Sequence, residues 1–180
     1  MKKVLYIFSF SLIFACTTAS VKEKKLKTAF SLIEEAILIE AKSIMESSYY
    51  CTLITQDKNG QPKARVVEPF SPEKEYTVWM ATNPNSRKVT ELKNNSKTTL
   101  HYFDKSKLAY VSLMGDAYLV DDSILKTQKW KEGWEKFYPK RDNDYLLIKF
   151  VPHTLELISP SKKYLGDKIT WKPHQVILRK

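Results

Sequence analysis

The sequence predicts a mainly β, α+β fold in which about six antiparallel strands form a closed or partly closed barrel with two or three peripheral helices. Runs rich in β-branched and aromatic residues recur between Tyr49 and Ser159, each bounded by turn residues. Asn59-Gly60, a strong hairpin signal, separates the first two runs. One long stretch with a helical period precedes them all, as a cover for a barrel would.

The chain opens with Met1-Lys2-Lys3, then the apolar run Val4 to Phe14, closed by Ala15-Cys16. A charged start, a short apolar core and a small-residue end make residues 1–16 a signal peptide, and the run is too short to span a membrane in the mature protein. Ile13-Phe14-Ala15-Cys16 resembles a bacterial lipobox, which implies lipidation of Cys16; an ordinary cleaved signal ending near Ala19 is the alternative. Residues 17–24 are a polar tether, and residues 25–180 form one domain. From Lys25 to Ser47, apolar residues at Leu26, Phe30, Ile33, Ile37, Ala41 and Ile44 mark one helical face. That face packs on the domain, because Glu34, Glu35 and Glu40 oppose an anionic membrane surface.

The strands follow in order. Tyr49 to Thr55 and Lys63 to Phe70 flank the hairpin turn, Tyr76 to Thr82 is the third strand, and Thr98 to Phe103 the fourth. Ala109 to Val120 is a long strand with Gly115 marking a bulge or bend. Asp121-Asp122-Ser123 caps a helix running through Phe137, which places Trp130 and Trp134 four apart on one helix. Tyr145 to Ser159 is the last long strand, interrupted at Pro152.

The formal charge is +10, a value that alone points to nucleic acid. The export signal argues against that partner, and Lys22, Lys24, Lys25 and Lys27 fit either a solvated spacer or anionic headgroups beside an anchor. Only two cysteines occur, so acylation of Cys16 leaves no intramolecular disulfide, and Cys51 in a strand pattern reads as a buried, inert thiol. His101, His153 and His174 lack metal-site spacing, and no Gly-rich dinucleotide fingerprint or Gly-x-Ser-x-Gly is present.

The stretch with the clearest chemistry is Thr82-Asn83-Pro84-Asn85-Ser86-Arg87-Lys88, between a strand and a helix reaching about Asn95. Ser86 is a good N-cap, the first-turn N–H groups and helix dipole favour an anion, and Arg87 and Lys88 add charge. A hairpin brings Arg65 to the same place, where its planar fork suits a phosphate. The bland alternative is a solvated helix start.

Arg65-Val66-Val67, Trp79 to Asn83, Ser86-Arg87-Lys88 and Asn94-Asn95 resemble the FMN-binding pattern of the pyridoxamine 5'-phosphate oxidase family, on its general-stress-protein branch. The likeness runs from about Ile44 to Pro160. It implies a flavin-binding split barrel that works as a homodimer, with Arg65, Ser86, Arg87 and Lys88 on the FMN phosphate. It implies further that Thr82 lies against the ring system and that Val66, Val67 and Ala81 are among the cofactor-binding residues. Ala81 stands where the family often has Tyr, Glu68-Pro69-Phe70 replaces an apolar-plus-Lys run, and Tyr110 stands about where the oxidase has a flavin-contacting Gln. Trp171, in the C-terminal tail, is placed by the resemblance near the partner's flavin.

The expected activity is an FMN-dependent oxidoreductase acting on a small molecule. The alternative is a non-catalytic flavin-, deazaflavin- or haem-binding stress protein of the envelope. The Arg-x-His substrate motif of true pyridoxamine 5'-phosphate oxidases is missing, so vitamin B6 oxidation is not expected. The expected location is the bacterial cell envelope, as an exported, membrane-anchored lipoprotein. Cys16→Ser should abolish acyl labelling and release the protein from the membrane fraction; unchanged partition would move the attachment to the helix or the lysine cluster.

Overall fold

The structure, a computed structural model, describes residues 31–179. The signal segment with Cys16, the tether, and Leu26 and Phe30 of the expected helical face lie outside the described residues. The described residues divide into two units between Ala36 and Ile37. In the first, residues 31–36 are helical. Helix α1, residues 31–47, continues in the second, where Ile37, Ala41, Ile44 and Met45 are buried, a spacing that puts them on one face. Buried Glu40 accepts a hydrogen bond from Ser159 Oγ at 2.8 Å, so this carboxylate is not left unpartnered.

The strands are β1 Cys51–Gln56, β2 Pro62–Val67, β3 Val78–Thr82, β4 Lys97–Asp104, β5 Ala109–Val120, β6 Leu146–Ile158 and β7 His174–Ile177. They form one antiparallel sheet in the order β2-β1-β4-β5-β6-β3, with β7 also on β6. The two ends of that path meet. Just past β2, Pro69 bridges Met80 of β3, and Phe70 N donates to Trp79 O at 2.8 Å. The sheet therefore curls on itself and removes the exposed edges that would otherwise invite pairing.

Inside lies the main core, built from the inward positions of each strand, with Leu53, Met80, Leu100, Leu113, Phe150 and Leu155 fully buried. Cys51 belongs to it, and burial pushes its thiol up to about 12, with the neighbouring Tyr102 hydroxyl opposing only part of that rise. The expected inert thiol is what the fold produces.

β6 is divided along its length. Leu146–Phe150 pair with β3 and Thr154–Leu157 pair with β7, while β5 runs along its other side. Pro152 does not interrupt the strand, contrary to expectation. The register of β5 on β6 shifts between Met114 and Gly115, leaving His153 as the extra residue, so the proline falls at a bulge where ladder bonding is already irregular. Gly115 is required there: a Cβ would stand 2.2 Å from Val151 O and 2.6 Å from Pro152 Cα.

The helix expected through Phe137 is also corrected. Asp122 caps as expected, accepting from Leu125 N at 2.8 Å, but helix α3 spans only Ser123–Gln128. Gly133 then adopts φ 82° and a single 3₁₀ turn, Trp134–Lys136, follows, before the one-turn helix α4, Arg141–Asp144. The break lets both indoles face the same cluster. Trp130 and Trp134 meet edge to face at 6.1 Å, and each packs on Tyr145, forming with Trp79 and Leu147 a second core on the outer face of β3 and β6. A continuous helix would fix the indoles by its own period instead.

Gly115→Ala should cost about 2–3 kcal/mol in urea denaturation, because the clashing atoms are backbone and cannot step aside. Gly60→Ala, at φ 79° with no heavy atom within 4 Å of its Cβ, should cost about 1 kcal/mol through backbone strain alone. Equal losses at the two positions would refute the close-approach argument.

Candidate functional site

Helix α2, Arg87–Asn94, begins directly after β3 through the turn Asn83-Pro84-Asn85-Ser86. Asn83 Oδ1 accepts from Asn85 N at 2.9 Å, and Ser86 N donates to Asn83 O at 3.0 Å, which turns the chain sharply into the helix. Ser86 is the N-cap residue, yet its hydroxyl does not cap. It lies 2.8 Å from Thr82 Oγ1 instead, leaving the first-turn N–H groups without a side-chain acceptor.

Three cations gather at this turn. Arg65, on β2, donates through Nη1 to Thr55 Oγ1 at 2.5 Å and through Nη2 to Glu91 Oε2 at 2.6 Å. Arg87 places Nε 2.8 Å from Glu91 Oε1, a contact held by charge because that oxygen receives no directed hydrogen bond. Lys88 Nζ donates to Thr82 Oγ1 at 3.1 Å and, among the described residues, has no carboxylate within ion-pair distance. One carboxylate thus pairs with two of the three cations and Lys88 has none, a surplus of two positive charges.

Glu91 is 3% exposed. Burial pushes its carboxyl up, but hydrogen bonds from Thr55 and Arg65 and the charges of Arg65 and Arg87 outweigh that and hold it below the usual range. Lys88 moves the other way: burial, then the Arg65 cation, lowers its ammonium, with Glu91 restoring part. An anion set beside Lys88 would relieve both unfavourable effects.

A groove of about 450 Å³ opens next to the turn, lined by Val66, Val67, Ala81 and Lys88 on one side and by Trp134, Phe137 and Tyr138 among others on the opposite side. Tyr49 and Tyr50, packed edge to face with ring centroids 4.7 Å apart, stand at its margin. Glu68 accepts from Tyr49 at 2.9 Å and Lys131 at 2.8 Å, and Trp134 Nε1 lies 3.4 Å away, so a charged knot ties β2 to the Trp134 turn. Burial pushes the Glu68 carboxyl up, but these hydrogen bonds prevail and hold it low.

The structure therefore gathers Arg65, Thr82, Ser86, Arg87 and Lys88 at one turn, and Val66, Val67 and Ala81 along the adjoining groove. Tyr110 and Trp171 are elsewhere in the same chain: Tyr110 lies on β5 with its ring 5.4 Å from His101, and Trp171 is 82% exposed in the C-terminal tail. Glu91 and the aromatic wall of Trp134, Phe137 and Tyr138 escaped the sequence reading. Glu91 was detectable as the i+4 partner of Arg87. The aromatic wall was hidden by the supposed helix.

The element order and the cation-bearing turn between β3 and α2 define a six-stranded antiparallel split barrel, its sheet extended by the short β7. The model of the pyridoxamine 5'-phosphate oxidase-like family matches residues 39–164, and the chain belongs to that family. A Clostridium acetobutylicum protein related to general stress protein 26 of Bacillus subtilis is 26% identical, with a TM-score of 0.66 over 79% of this chain and 95% of its own. General stress protein 26 from Bacillus anthracis is 24% identical, at a TM-score of 0.58 over 70% of this chain and 93% of its own. A heme-binding protein from Mycobacterium smegmatis shares the fold at 14% identity, with a TM-score of 0.58 over 77% of this chain and 57% of its own. No curated protein sequence matches the chain significantly.

Glu91→Gln should destabilise the protein by about 2–3 kcal/mol at neutral pH, mostly by leaving Arg65 without its counter-charge, since Arg87 is 65% exposed and solvent already screens it. The folded carboxyl titrates below its unfolded value, so its contribution is complete above the ordinary glutamate range and is lost as pH falls through the folded value. Parent and variant stabilities should converge in acid, and a gap independent of pH would contradict the assignment.

Proposed function

We propose that the chain binds FMN and acts as an FMN-dependent oxidoreductase on a small molecule. The carrying observation is the surplus of two positive charges around Lys88, set beside a groove where Val66, Val67, Ala81 and the rings of Trp134, Phe137 and Tyr138 share the walls with Glu68, Glu132 and Lys136. A terminal phosphate suits the first and a flat tricyclic ring the second. Family membership supports the same ligand.

In this proposal Ser86, Arg87, Lys88 and Arg65 hold the phosphate, with the open N–H groups of α2 adding hydrogen bonds. Val66, Val67 and Ala81 lie against the ring and exclude water from one face, and Thr82 keeps Lys88 aimed at the turn. When bound, the flavin supplies hydride transfer, and the protein binds and orients it. The groove is open on one side, and closing it with a second copy of the chain accounts for a homodimer. Export and attachment through acylated Cys16 complete the proposal.

Haem is the second candidate, because one structural neighbour is a heme-binding protein. Among the described residues, no histidine, cysteine or methionine lines the groove, so a haem iron would depend on Tyr49, Tyr50 or Tyr138 for an axial ligand, whereas the charge surplus beside Lys88 suits the phosphate of FMN.

The purified protein should take up FMN in preference to riboflavin, as read by quenching of flavin fluorescence. Arg87→Ala should weaken FMN by about 2 kcal/mol and leave riboflavin unchanged, since only the phosphate meets that side chain. Equal affinity of the parent for the two flavins would refute the phosphate assignment, and a Soret band in place of flavin absorption would establish haem.

A further inference from the structure

Near the C-terminus a short, tightly braced loop holds apolar side chains out in water. Residues 167–172 close on themselves: Asp167 N donates to Lys172 O at 2.9 Å, and Trp171 N donates to Asp167 O at 2.9 Å. Within the turn, Asp167 Oδ1 accepts from Ile169 N at 3.0 Å, Thr170 N at 2.8 Å and Thr170 Oγ1 at 2.9 Å. Gly166 packs beneath, where a Cβ would stand 2.8 Å from Trp171 O. Trp171 itself adopts φ 59°, a left-handed conformation that is costly for a bulky side chain.

All this bracing displays hydrophobic surface. Ile169 is 88% exposed, Trp171 82% and Leu165 58%. A loop that only connects β6 to β7 needs neither the backbone strain nor these side chains. Beside the apolar tip Lys168 and Lys172 are both exposed, while the carboxylate of Asp167 is taken up by the loop's own donors.

We propose that this loop docks on an anionic lipid surface. Ile169 and Trp171 enter the boundary between headgroups and acyl chains, where an indole finds both an apolar body and polar neighbours, and Lys168 and Lys172 meet anionic headgroups. Local charge selects this occupant: Lys168 and Lys172 flank the apolar tip and Asp167 is engaged within the loop, so the tip complements an anionic surface, and a second copy of the chain is the competing outcome that the test separates. Trp171 thereby gains a partner other than the flavin expected from the resemblance.

The test labels Ile169→Cys with an environment-sensitive fluorophore, in the full chain carrying Cys16→Ser; Cys51 is buried, and the same chain with Ile169 intact reports any label it takes up. On vesicles of phosphatidylcholine and phosphatidylglycerol at 7:3, emission should shift to the blue and rise about twofold, and on pure phosphatidylcholine it should stay as in water. Lys168→Ala with Lys172→Ala should lower partitioning of the loop by about 30-fold, from about fivefold for each lysine near an anionic surface. Water-like emission on the anionic vesicles would overturn the proposal. So would a blue shift without lipid that grows with protein concentration, which would assign the tip to a second copy. Neither result touches FMN binding, so this inference and the proposed function stand or fall apart.

Discussion

The arrangement rests on barrel closure, and closure rests on two short contacts: Pro69 bridging Met80, and Phe70 N donating to Trp79 O. They tie the segment following β2 to β3, the two strands at opposite ends of the sheet order. Without that tie, β2 is an open edge and Arg65 a solvated side chain on it. With it, Arg65 comes within reach of Glu91 on the helix that β3 launches, and a residue far away in sequence joins the turn at Ser86. The site is therefore a product of topology more than of any one motif.

Within the site, charge accounting determines what can happen. A single buried carboxylate organises Arg65 and Arg87, and the hydroxyls of Thr55 and Thr82 each accept one hydrogen bond, from Arg65 and Lys88 respectively. Burying the three cations with three carboxylates would neutralise the place and repel an anion. Holding the partly buried Arg65 and Lys88 together with none would be costly to fold. One carboxylate against three cations lies between these limits, holding the side chains in position while leaving attraction to spare.

Much of this was legible in the sequence, for identifiable reasons. Alternating β-branched runs fixed the position of β5 to the residue, and the Asn-Gly turn fixed the β1–β2 hairpin, because both signals are local. The cations of the clamp could be named from the turn and from the family resemblance. Three features were not legible. The break at Gly133 serves distant aromatic packing, so the cap at Asp122 correctly announced a helix but could not say where it ends. Pro152 is accommodated by a bulge that depends on Gly115 across the ladder, a pairing no local window contains. β7 is only four residues long and draws its order from the edge of β6 that β3 leaves free.

Cys51 carries a last consequence. Burial pushes the thiol up to about 12 and covers the sulfur, so the native state offers an oxidising surrounding little thiolate to attack. Reactivity appears only when β1 leaves its place between β2 and β4, which opens the barrel wall. Where a thiol reagent captures this sulfur faster than the barrel recloses, the reaction reads the rate of opening; where reclosing is faster, it reads the equilibrium population of the open wall.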